Sequence, residues 1–146
     1  MIRARTQAAC WLVALAILVP AAAAQEPEAP VKRPFEQPAQ IINVTAANFE
    51  FIPSSIHIKA GRHIQLVVTA TDKTHAIRIS PFPEGASGST PPGLEFANGE
   101  DCWKLKKGVS VKIDLVGHMP GTYKFACCKQ CGSGHKRMKG ELVVDP

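Results

Sequence analysis

The chain has 146 residues, 45% of them hydrophobic, with 17 basic and 12 acidic side chains for a net charge of +5, and five cysteines. A chain of this length can build one domain with a core of its own. Its basic residues are not interleaved with aromatic ones and no nucleic-acid motif occurs, which excludes nucleic acid as a partner.

The opening "MIRARTQAACWLVALAILVPAAAAQ" sets Arg3 and Arg5 before an apolar run from Ala8 to Val19, then Ala22 and Ala24 as an A-x-A cleavage signal. Residues 1–24 therefore read as a secretory signal peptide, cut between Ala24 and Gln25. The apolar run is short of the roughly 20 residues that a spanning helix needs. Cys10 is not placed like a lipoprotein cysteine and leaves with the leader. No later stretch is apolar enough to span a bilayer, so the mature chain is expected to be exported and soluble, and periplasmic in a bacterium. Residues 25–39, "QEPEAPVKRPFEQPA", hold four prolines and several charges and read as an extended linker.

From Gln40 the texture is β. "QIINVTA", "SSIHIKA", "HIQLVVTATD" and "HAIRIS" are rich in Ile, Val and Thr and partly alternate, with Pro53 and Gly61 between them. The polar stretch "PFPEGASGSTPPGLEFANGED" cannot be one regular element. It has room for a short helix or for an excursion across one end of the domain. "VSVKIDL", the turn "GHMPG", "TYKFA", a cysteine-rich loop and "GELVV" complete the chain. Many short strands and no well-capped amphipathic helix predict an all-β sandwich or barrel over residues 40–146.

Without Arg3 and Arg5 there remain fifteen basic and twelve acidic residues, net +3 with histidine neutral. Residues 25–100 hold six basic against eight acidic, and residues 101–146 nine against four. The excess sits in the half with the cysteine loop. It suits a partner with an acidic face, or anionic lipid headgroups, and it suits a merely solvated surface equally well.

The loop reads "FACCKQCGSGHKRMKGELVV", with Cys127, Cys131, His135 and Met138 between two strands. The first three recur at every fourth position, so a compact loop can converge them. Two thiolates and an imidazole suit copper or zinc, and a thioether favours copper. Gly132 and Gly134 allow a tight wrap. One loop rarely completes a coordination shell, and His75, at the start of "HAIRIS", is the natural donor from elsewhere. The competing reading, a structural Cys127–Cys131 disulfide, leaves His135 and Met138 as accidents. A zinc site is weakened by Met138, since methionine is a poor zinc ligand.

An upstream His at a strand start followed late by C-x3-C-x3-H-x2-M resembles the dinuclear copper centre called CuA, found in cytochrome c oxidase subunit II and nitrous oxide reductase. "NFEFIPSSIHIKAG" and "PGTYKFACCKQCGSGHKRMKGELVV" together resemble the cupredoxin superfamily over most of residues 40–146. The resemblance implies a Greek-key β-sandwich. It also implies that Cys127 and Cys131 bridge two coppers, each ended by His75 or His135, with Met138 and the backbone carbonyl of Lys129 as weak ligands. The family usually has Ser then Glu after the first cysteine, where Cys128 and Lys129 stand here. In oxidases that Glu meets a second metal near the catalytic subunit, and an apolar hairpin anchors the subunit. Lys129, and a mature stretch with no such hairpin, favour a free-standing carrier with a basic docking face for a cytochrome or an oxidase.

Cys102 and Cys128 would pair if the middle stretch folds over the loop; alternatively Cys128 is a buried thiol turned from the metals. His57, His63 and His118 read as surface or edge residues, Trp103 as core, and Met119 as a candidate transient copper contact. No Ser/His/Asp arrangement, paired-carboxylate site or phosphate-cradling loop marks a catalytic site. The sequence thus describes an exported copper protein that transfers electrons through a CuA-type pair. The rivals are a mononuclear cupredoxin holding one copper and a copper-delivery or storage protein.

Overall fold

The computed structural model describes Phe35, Pro38 and residues 40–146; the leader expected over 1–24 and most of the linker expected over 25–39 lie outside these. Among the described residues, ten strands make two five-stranded sheets. One sheet has the order β2 (Glu50–Ile52), β1 (Gln40–Ala47), β4 (His63–Ala70), β8 (Ser110–Gly117) and β6 (Leu94–Phe96). The other has β3 (Ser55–Lys59), β10 (Lys139–Asp145), β9 (Gly121–Ala126), β5 (His75–Ile79) and β7 (Trp103–Leu105). Pairs β1/β4 and β3/β10 are parallel and the rest antiparallel.

Alternation decides which face each strand buries. In β3, Ile56 and Ile58 point inward while Ser55, His57 and Lys59 face solvent; in β4, Ile64, Leu66, Val68 and Ala70 line the core. Leu105, Ile113, Leu115, Tyr123 and Leu142 meet them from the other strands, and Phe51 packs edge-on against Phe125 with centroids 5.5 Å apart. Trp103 is core, as the sequence predicts.

The middle stretch contains no helix among the described residues. It gives up one short strand, β6, which extends the first sheet beside β8, and leads into β7, which pairs with β5. Its polar part crosses the end of the sandwich where Glu84 N–H meets the Thr122 carbonyl and His118 N–H meets the Gly93 carbonyl. Three-residue strands carry too little alternation to be read from sequence. His63 departs from the surface position expected of it. It is buried at the head of β4, with Nε2 2.9 Å from the acceptor Asp114 Oδ1 and Phe35 edge-on to its ring. His57 and His118 are exposed, as expected.

Cys102 and Cys128 form a disulfide with Cα atoms 6.1 Å apart, tying the residue before β7 to the cysteine-rich loop. It closes a loop of sequence separation 26. Replacing both cysteines with serine should therefore lower unfolding free energy by about 3 kcal/mol. Denaturant titration is expected to report this as a lower midpoint.

Candidate metal centre

Strand pairing brings the donors to one end of the sandwich. Cys127 follows β9 directly and Met138 precedes β10 directly. Ala126 pairs with Lys139, and the Cys127 N–H donates to the Met138 carbonyl at 2.9 Å, so the loop leaves and returns at adjacent points. On the other flank of β9, Arg78 of β5 stands opposite Ala126. β5 runs antiparallel to β9, so His75, three residues earlier, projects past the end of β9 alongside the loop. Within the loop, His135–Arg137 make one 3₁₀ turn.

The donor atoms of His75, Cys127 and Cys131 all lie within 4.8 Å of one another. The two sulfurs are 3.6 Å apart, and both thiols are free. The Cys127 thiol donates to the Lys129 carbonyl at 3.1 Å, and His135 Nδ1 is 3.9 Å from the Cys131 sulfur. Met138 is buried beside Cys127, while His135 remains partly exposed at the rim. Burial, reinforced by the neighbouring Cys127, pushes the Cys131 thiol up from its ordinary value.

His75 is fully buried, and its ring is held by a carboxylate: Nε2 lies 2.7 Å from Asp72 Oδ1. Burial alone would raise the Asp72 carboxyl. The hydrogen bond from His75 and those from the Asn48 and Lys73 N–H groups outweigh it and bring the group down to about 2. An ionised Asp72 takes the Nε2 proton as its hydrogen-bond partner, which leaves the lone pair on Nδ1. That Nδ1 is buried and has no hydrogen-bond partner. A buried histidine with an orphaned ring nitrogen, clustered with two free thiols, is a donor set that fits a soft or borderline metal ion.

Among the residues expected to act, His75, Cys127, Cys131, His135 and the Lys129 carbonyl converge at one end, and Met138 adjoins them through the backbone. Met119 does not join them. It sits before β9 begins, and the six residues of β9 put it roughly 20 Å from the loop. Asp72, Asn48 and Phe49 were not anticipated. The available signal for Asp72 was its spacing, a carboxylate three residues before a histidine at a strand start. Asn48 and Phe49 lie in the β1–β2 turn and reach the site only through the fold.

The chain belongs to the cupredoxin-like domain family, matched over residues 7–144, and its two-sheet β-sandwich carries a histidine and two free cysteines at one end. A cytochrome c oxidase subunit 2 of Thermus thermophilus is 28% identical over 121 residues, covering 76% of this chain and 77% of that one. Auracyanin B is similar in structure, with TM-score 0.55, 21% identity and coverage of 76% of this chain and 92% of its own. So is the periplasmic domain of cytochrome oxidase subunit II from Bradyrhizobium japonicum, with TM-score 0.55, 14% identity and coverage of 75% and 86%. At these identities the two structural likenesses establish the fold.

Loss of the carboxylate behind a metal-binding histidine typically weakens binding by 10- to 100-fold. Asp72→Ala should weaken Cu(I) binding by about that factor, measured by competition with a chromophoric chelator.

Proposed function

We propose that this is an exported copper protein that carries one electron at a time through a CuA-type dinuclear centre. In this reading two copper ions would be held by the Cys127 and Cys131 thiolates together, with His75 and His135 each completing the donor set of one ion. Met138 and the Lys129 carbonyl would each add a weak ligand. The observation that carries the reading is the pair of free thiols with sulfurs 3.6 Å apart beside a buried histidine nitrogen that lacks a partner. One copper held by His75, a single cysteine, His135 and Met138 would leave the second thiol without a role.

Bound copper supplies a one-electron couple. The chain supplies the rest. β9 and β10 hold the loop ends together, the Cys102–Cys128 disulfide ties the loop to the strand beside β5, and Asp72 orients His75. Donors held this firmly resist rearrangement, and burial of Cys127 and Met138 keeps water from the sulfur side. Protein ligands fill the set, so the chain acts as a carrier, free-standing or within an oxidase-like system, rather than as a catalyst alone.

Lys73, Lys129, Lys136, Arg137 and Lys139 are exposed around the loop, and none is in an ion pair among the described residues. This collar fits a redox partner with an acidic face, such as a cytochrome or an oxidase subunit. The likeness to oxidase subunit 2 supports that context. Export to the periplasm is supported by the leader-like N-terminus and by the likeness to a domain described as periplasmic; no helix among the described residues is long and apolar enough to cross a membrane.

Loading the reduced chain with copper should give two ions per chain and a paramagnetic resonance spectrum with hyperfine structure from one electron shared over two nuclei. One ion with a mononuclear spectrum would shift the assignment to a single-copper cupredoxin. Tight, spectroscopically silent Cu(I) would favour delivery or storage. No copper at all, with Cys127 linked to Cys131, would overturn the metal reading. Met138→Leu should keep copper and shift the potential, whereas a delivery protein would lose affinity. Reversing charge at Lys136 and Arg137 should slow electron exchange with an acidic-faced partner by roughly tenfold at low salt and flatten its salt dependence.

A further inference from the structure

Asn48 and Phe49 make the two-residue turn between β1 and β2, closed by the Ala47–Glu50 pair, and both have left-handed backbones with φ of 51° and 63°. Asparagine tolerates that conformation. For an aromatic residue it is rare and strained, and a turn of this kind ordinarily takes glycine at the second position. Phe49 also sits outside the fully buried core and only packs against it. Neither the turn nor the core therefore accounts for a phenylalanine here.

Its ring faces the cysteine loop. A Cβ added at Gly132 would lie 3.0 Å from both Cε1 and Cζ of Phe49, and one at Gly134 would lie 2.5 Å from Cδ2 and 2.8 Å from Cβ, against its Cγ as well. Gly134 has φ −87° and ψ 0°, a conformation open to any residue. Glycine at 134 is thus a response to the ring and not to the backbone. Lys73 Nζ stands 4.1 Å from the ring centroid, and the ring is edge-on to His75 at 6.5 Å. One residue earlier, the Asn48 N–H donates to Asp72 Oδ2 at 3.1 Å, and the other Asp72 oxygen holds His75.

We infer that the Asn48–Phe49 turn is a positioning element of the candidate metal centre. The Phe49 ring is the surface on which the cysteine loop closes, and Asn48 steadies the carboxylate that orients His75. One strained turn braces donors that arrive from two separate parts of the chain. The inference rests on the proposed function only in treating those donors as metal ligands; the contacts themselves belong to the copper-free chain.

A double-mutant cycle on the full, copper-free chain tests it. Gly134→Ala should lower the thermal midpoint clearly in the native background. In a Phe49→Gly background the same change should cost roughly a third as much or less, because the ring and Cβ atoms it strikes are gone. If Phe49→Gly does not fold, Phe49→Ala takes its place in the cycle, since it removes the two ring contacts and leaves only Cβ at 2.8 Å. Phe49→Ala or Phe49→Leu should also raise the rate at which iodoacetamide labels Cys131 under native conditions, by several-fold as the loop opens more often, while Phe49→Tyr should restore the native rate. Additive losses in the cycle would overturn the inference. So would a lowered midpoint with an unchanged labelling rate, since that marks the ring as filler. Both readouts are taken without copper, so they stand or fall separately from copper stoichiometry and spectrum.

Discussion

The hydrogen bond from the Cys127 N–H to the Met138 carbonyl continues the β9/β10 ladder one step past its last strand pair, and the centre depends on that step. It brings together the two ends of the segment that holds Cys127, Cys131, His135 and Met138. Closing a loop costs conformational entropy that grows with its length. Here the pairing of β9 with β10 closes the loop. β5, paired on the other side of β9, adds His75 at the same end. A one-residue slip in that register would turn His75 away from the loop, since side chains alternate faces along a strand.

Holding such donors in place conflicts with burying them. His75 Nδ1 has no hydrogen-bond partner, and an unsatisfied buried polar group costs roughly 1–3 kcal/mol. Burial and the neighbouring thiol oppose ionisation of Cys131. A chain relaxing freely would swing these groups toward water. Four constraints prevent that: the ladder, the Cys102–Cys128 disulfide, the Asp72 carboxylate and the Phe49 ring. Behind them the two sheets bury Leu66, Leu105, Ile113, Leu115 and Leu142 almost completely, which offsets the strain gathered at one end.

Much of this was legible from residue pattern. Alternating Ile and Val located the long strands, and the four-residue recurrence of Cys127, Cys131 and His135 marked the loop as a donor cluster. Short strands were not legible, because β2, β6 and β7 have three residues each and exist only through their partners. His63 reads as a surface or edge residue for a related reason. Its neighbours in sequence suggest an edge, whereas Asp114 and Phe35, which enclose it, lie far away along the chain. Met119 sits only a few residues before the cysteine loop in sequence, yet a whole strand separates them in space.

The sequence by itself determined the all-β class, the chemical character of the donors and the order in which the chain presents them, because periodicity and residue type are local properties. Only the tertiary structure decided that Cys102 pairs with Cys128, leaving Cys127 and Cys131 free, and that Asp72, Asn48 and Phe49 stand behind the donors. Those relations join residues that the chain holds far apart. Spacing along the backbone cannot specify them until strand pairing and burial have chosen which side chains meet.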